Sequence, residues 1–221
     1  MSRSRQLLLP FLASTLVLLG AVLAPMPSSA EDDSAWAVLD AARKSLVASG
    51  PERAEFVQTY VPAGFSSGEE ESGRIAFRLP DCLRWDYSEP YPKSFLVCGE
   101  RVYSWNPEDR RGQSAAVDRE SQPGLDLLLL PVDELSGRYD ASAESAGAGR
   151  VAVHLEPRAE MAGRTELTGA TLVVDTRSDR LVEVSYQDRE GNRTTFRISG
   201  YEGLADRSAF DPPDGISWEE G

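Results

Sequence analysis

Residues 73–106 read GRIAFRLPDCLRWDYSEPYPKSFLVCGERVYSWN, and this stretch decides the fold. Leu83, Trp85 and Tyr87 alternate with Arg84 and Asp86, so apolar and polar side chains fall on opposite faces. Ser88 to Pro92 turns the chain, Phe95 to Val97 returns it, and Cys98–Gly99 turns it again into Val102–Tyr103–Ser104–Trp105. Period-two alternation broken by Gly, Pro and Asp is the pattern of antiparallel hairpins, because successive side chains of a strand point to opposite faces. A sheet with this much aromatic bulk on one face must cover it with something.

Symmetric folding about Pro90 sets Cys82 opposite Cys98, Leu83 opposite Val97 and Trp85 opposite Phe95. In an exported chain an even pair of cysteines suggests a disulfide. Closing a loop of about 15 residues would contribute about 3 kcal/mol in the chain-entropy account. A free pair, or a redox switch, is the alternative. The same register puts Leu83, Trp85, Tyr87, Phe95 and Val97 on one side, and Val102 joins them if the Gly99 turn has two residues. That face reads either as a wall of a greasy pocket or as ordinary core against a helix.

Upstream, Ser34 to Ser49 reads as a helix. Asp33 or Ser34 is placed to cap it, Trp36, Leu39 and Leu46 recur near helical spacing, and Gly50–Pro51 stops it. A strand follows at Ala54 to Val61, then a loop over Pro62 to Gly68. Glu69 to Glu71 is a short acidic run expected to be simply solvated. At the N-terminus, Arg3 and Arg5 precede the apolar run Leu7 to Leu23, and Ser28–Ser29–Ala30 supplies small residues for cleavage. This is the pattern of a secretory signal peptide over residues 1–30, leaving a mature domain at 31–221. A membrane anchor is the alternative, but Pro10, Gly20 and Pro25 interrupt it. The mature chain then carries 21 basic and 36 acidic residues, a net charge of −15. Such a surface disfavours nucleic acid and anionic lipid.

Downstream of the aromatic stretch lies QPGLDLLLLP at 122–131, five leucines in six positions bracketed by prolines. It is too short to span a membrane. It reads as a buried helical turn or as an apolar lid, with Leu125, Leu127, Leu128 and Leu130 as its inward residues. Strand patterns then recur at 137–145, 150–157, 171–175, 181–187 and 193–199, with hairpin turns between them. The chain therefore reads as one antiparallel sheet of about ten strands with a helix in front and a lid in the middle. Little suggests catalysis. The single histidine, His154, lies in a strand pattern without a neighbouring nucleophile motif, and there is no G-x-S-x-G, phosphate loop or metal-ligand spacing.

The segment Gly73 to Pro80, followed by Arg84–Trp85–Asp86–Tyr87 and Pro90, resembles the periplasmic outer-membrane lipoprotein carrier family, the LolA-like proteins. Phe56–Val57–Gln58 is similar to the family's early Phe-x-Gln strand, and Gly99 to Tyr103 to its turn and following strand. Asp188 to Thr195 and Phe210 to Ile216 resemble its late hairpin and closing motif. The resemblance implies an α+β, mainly antiparallel fold: an unclosed barrel of about 10–11 strands with an N-terminal helix and a short helical lid over an apolar cavity. On that reading Phe56, Leu83, Trp85, Tyr87, Phe95, Val97 and Val102 line the cavity. The implied function is a soluble, monomeric, periplasmic carrier of acylated lipoproteins, needing no cofactor or metal. Its implied partners are an inner-membrane lipoprotein-releasing ABC transporter and an outer-membrane acceptor. A carrier of another envelope lipid or glycolipid, and an envelope-stress sensor domain of this fold, are the alternatives. The family often has an arginine directly before the proline of this segment, tethering the lid. Here that position is Leu79, and alternation aims the neighbouring Arg78 at the other face.

Overall fold

The hairpin of β3 (Cys82–Glu89) and β4 (Lys93–Cys98) pairs in the register required by symmetry about Pro90: Cys82 faces Cys98, Leu83 faces Val97 and Trp85 faces Phe95. Cys82 and Cys98 are joined as a disulfide. The turn into β5 (Arg101–Asn106) has two residues, so Val97 faces Val102. A computed structural model of the chain describes residues 29–117, 124–161 and 163–221. The expected signal segment up to residue 28, and the Gln122–Pro123 flank of the leucine run, lie outside these residues.

Around this hairpin the elements follow in order. They are α1 (Ser29–Ser49), β1 (Glu52–Val61), β2 (Glu69–Arg78), the β3–β5 meander and β6 (Arg111–Ala116). Then come α2 (Leu125–Leu129), α3 (Val132–Ser136), β7 (Tyr139–Gly147), β8 (Arg150–Pro157), β9 (Leu167–Asp175), β10 (Arg180–Asp188), β11 (Arg193–Gly203) and β12 (Ser217–Glu220). All twelve strands form one unclosed sheet, ordered β12-β6-β5-β4-β3-β2-β1-β11-β10-β9-β8-β7. Two antiparallel meanders, β1 to β6 and β7 to β11, meet where β1 pairs with β11.

The sheet exceeds the expected count because β12 pairs with β6, in parallel. Partners roughly a hundred residues apart leave no hairpin signal between them. Within the acidic run Glu69 and Glu70 are exposed, as expected, whereas Glu71 is paired. Glu69 to Glu71 begin β2, pairing through their backbones with β1, and Glu71 is bridged to the Lys93 ammonium at 2.7 Å.

The two faces of the sheet carry separate cores. On the inner face, α1 buries Ala35, Leu39, Ala42 and Leu46 against Phe77, Leu172 and Leu181. Spacing of three and four residues gives the helix this stripe, and Gly50, with φ of 76°, ends it. Both ends of the helix are tied to the sheet. Asp32 accepts the backbone N–H of Ala141 on the edge strand β7 at 3.2 Å. Arg180 of β10 donates to Ser49 at 2.7 Å and to the Glu52 carboxylate at 2.8 Å.

On the outer face, the segment after β11 folds back over the first meander. Phe210 is buried with Ala76, Cys82, Leu96 and Trp105, and Trp218 packs edge-on against Tyr103 and Trp105. Arg78 does turn outward, as alternation requires. Its guanidinium stacks on the Phe210 ring and donates to the disulfide sulfurs.

Candidate functional site

The leucine run folds as the short helix α2, followed at once by α3, and the two are seated on the inner face of the sheet beside α1. Leu127, Leu129, Leu130 and Leu135 are each at most 4 % exposed, and Leu128 is half-buried. The side chain of Leu125 lies outside the described residues. The run is entered through Gly124, whose φ is +82° and where an added Cβ would lie 2.5 Å from the Tyr186 ring. Both the backbone angle and the close approach call for glycine there.

Between α1, the leucine helices and the sheet lies an apolar hollow of about 30 Å³. It is bordered by Leu39, Ala42 and Leu46 of α1, by Phe77, Leu79, Leu172 and Leu181 of the sheet side, and by Leu127, Leu128, Leu130, Val132 and Leu135 of the α2–α3 segment (residues 125–136), called the flap below. One or two water molecules would fill it. The flap leucines themselves occupy the space under the sheet.

One cation enters this apolar lining. Arg43 of α1 donates from Nη1 to the carbonyl of Leu128 at 3.1 Å and from Nη2 to the carbonyl of Leu129 at 2.7 Å. These are carbonyls at the end of α2, which have no partner within their own helix, and a helix C-terminus favours positive charge. Burial pulls the guanidinium below its ordinary pKa, while Asp133 and Glu134 of α3 oppose that shift. Leu79, at the position where an arginine is common, contributes an apolar wall instead.

Of the expected wall residues, Phe56, Leu83 and Val97 are buried in the inner core, and Trp85, Tyr87 and Val102 pack against it. Phe95 meets the Tyr87 ring edge-on at 5.9 Å. Tyr87 also meets Phe56 and donates to Gln58 at 2.6 Å, and burial raises its phenol pKa. All belong to the same side of the sheet, but none borders the hollow. Arg43 escaped the reading of the sequence, although a signal was there: it follows Leu39 by four residues and precedes Leu46 by three, on the helix's apolar stripe. His154 lies on the outer face, 3.0 Å from the Thr171 hydroxyl and 3.1 Å from Glu144. Among the described residues no cluster could hold a metal ion, and no helix is long and apolar enough to cross a membrane.

An unclosed antiparallel sheet with an N-terminal helix and two short helices over one face is the architecture of a binding protein rather than an enzyme. The chain belongs to the LolA family: residues 52–212 match the outer membrane lipoprotein carrier protein LolA. Its members are carriers and not enzymes. An outer-membrane lipoprotein carrier protein of Xanthomonas oryzae is 26% identical over 167 residues, covering 73% of this chain and 78% of that one. One from Alkalilimnicola ehrlichii is 27% identical over 152 residues, covering 66% and 67%. The fold is shared with a crystal structure of an uncharacterised conserved protein from Thermus thermophilus, at a TM-score of 0.55 and 12% identity, covering 85% of this chain and 99% of that one.

Proposed function

We propose that this protein ferries acylated lipoproteins between membranes, holding their acyl chains in the space its flap now fills. The observation that carries this reading is the seating of the flap. Four leucines are buried, yet Arg43 makes two hydrogen bonds to its backbone from the side chain of another element. The energies support reversible exchange. Burying four leucine side chains contributes about 6–12 kcal/mol at about 1.5–3 kcal/mol each. Burying about 14 methylenes of one acyl chain contributes about 11 kcal/mol. Chain and flap therefore compete on nearly equal terms, which is what a carrier that must both load and release requires.

The flap is the moving part on this account. α1 is pinned to β7 by Asp32 and to β1 and β10 by Arg180, so lifting α2 and α3 opens the hollow while the helix stays. With the flap raised, the hollow bordered by Phe77, Leu79, Leu172 and Leu181 extends toward Phe56, Trp85, Tyr87 and Val102 on the same side. Cargo would come from an inner-membrane lipoprotein-releasing ABC transporter and pass to an outer-membrane acceptor, with the cleaved chain working in the periplasm. The absence of arginine at position 79 sets this protein's hand-over apart. Purification from a periplasmic extract, followed by mass spectrometry of the bound material, tests the assignment. Acylated protein supports it, and free lipid alone redirects it to an envelope-lipid carrier.

A further inference from the structure

We infer that Arg43 is the headgroup-recognition residue of the hollow: when the flap lifts, its guanidinium transfers from the Leu128 and Leu129 carbonyls to acceptor oxygens adjoining a bound acyl chain. The inference rests on the carrier reading above and specifies which lipids that site takes.

The argument is one of hydrogen-bond accounting. Arg43 borders an otherwise apolar hollow, among Leu39, Leu46, Leu79 and Leu128. Its guanidinium donates to the two flap carbonyls, at 3.1 and 2.7 Å. The carboxylates that favour its charge, Asp133 and Glu134, stand on α3 and leave with the flap. Opening therefore removes every one of these acceptors at once from a half-buried cation. Once an acyl chain covers the opened hollow and excludes water, a charged donor left without partners is costly, and an apolar tail alone cannot relieve the cost. An ester carbonyl or a phosphate oxygen next to the acyl chain can. The guanidinium has donors for both, in a planar fork suited to paired oxygens. Because α1 stays pinned, Arg43 remains fixed at the border of the hollow. Acyl glycerol esters, whether of a lipoprotein or of a phospholipid, meet this demand, whereas a hydrocarbon does not.

The test is displacement of a fluorescent apolar probe from the full mature chain by three C16 ligands. These are hexadecane, 1-palmitoylglycerol, and 1-palmitoyl lysophosphatidylglycerol. Arg43→Leu loosens the flap for all three equally, so the ratio of affinities between ligands isolates the headgroup. The wild type is expected to favour each ester over hexadecane by about tenfold to a hundredfold more than Arg43→Leu does, the range of a hydrogen bond to a charged group. Arg43→Lys should recover much of the preference for the phosphate lipid. Unchanged ratios in Arg43→Leu overturn the inference and leave the carrier reading standing. Failure of the wild type to bind any of the three overturns the carrier reading, and the inference with it. If only the lysophospholipid gains, the recognised oxygen is phosphate. If both esters gain alike, it is the ester carbonyl common to lipoprotein and phospholipid.

Discussion

Arg43 reaches out of α1 to hold the carbonyl of Leu129 at 2.7 Å, joining the long helix to the leucine-rich α2. With the bond to Leu128 it caps the C-terminal end of α2. Arg43→Leu is expected to raise amide exchange across residues 125–136 by at least about tenfold, since each such charge-assisted bond contributes about 1.5–3 kcal/mol. Exchange in β9 and β10 should stay as it is. Hydrogen-exchange mass spectrometry of the free protein reads both regions in one experiment.

Gly124 admits the flap past Tyr186. Gly124→Ala adds a methyl group where the ring lies 2.5 Å away, at a backbone φ of +82° that L-residues rarely adopt. The flap should seat poorly. Dye binding to exposed apolar surface should rise, with the far-ultraviolet circular dichroism of the sheet unchanged. A variant indistinguishable from the wild type in dye binding contradicts this role.

The Cys82–Cys98 disulfide staples the outward side of the β3–β4 hairpin. Reduction should lower stability by about 3 kcal/mol, a fall in Tm of about 6–12 °C for a domain of this size. Cys82→Ser should melt alike with and without reductant. Thermal unfolding monitored by circular dichroism measures both.

Alkaline pH should weaken the fold. Burial raises the phenol pKa of both Tyr87 and Tyr201 above their ordinary value. A raised folded-state pKa means that the unfolded chain loses its protons first. Their contribution is therefore complete below about pH 10, the ordinary phenol value, and is lost as pH rises beyond it. Denaturant unfolding between neutral pH and pH 11 should show this loss, and Tyr87→Phe with Tyr201→Phe should flatten it. An equal slope in the double variant contradicts the assignment.

The central hairpin was legible because its register follows from local symmetry. Pro90 marks the turn, the two cysteines fall opposite each other, and Trp85 faces Phe95. The leucine run was legible from composition as a short apolar helical turn, and Leu127, Leu129 and Leu130 are buried. What the sequence hid is non-local. Phe210 and Trp218 lie in an irregular tail, and nothing in their spacing says that they cover the outer face over Ala76 and Leu96. β12 joins β6 in parallel without a connecting turn. The position of the hollow is non-local for a related reason: the aromatic bulk of the meander, Trp85 and Tyr87 included, does not line it. The space beside the flap is instead bounded by α1 and by Leu172 and Leu181 from the second meander, whose alternation resembles that of any half-buried sheet. Arg43 was overlooked because a single basic residue on a helix usually reaches solvent, and only the packed flap reveals its acceptors.

The account turns on the flap giving way to an acyl chain, and one measurement addresses that directly: hydrogen exchange of residues 125–136 in the mature protein mixed with a water-dispersed triacylated lipopeptide. A stoichiometric complex in which the flap loses protection, while α1 and the sheet keep theirs, is the predicted result. A complex that leaves the flap protected, or no complex at all, would contradict it.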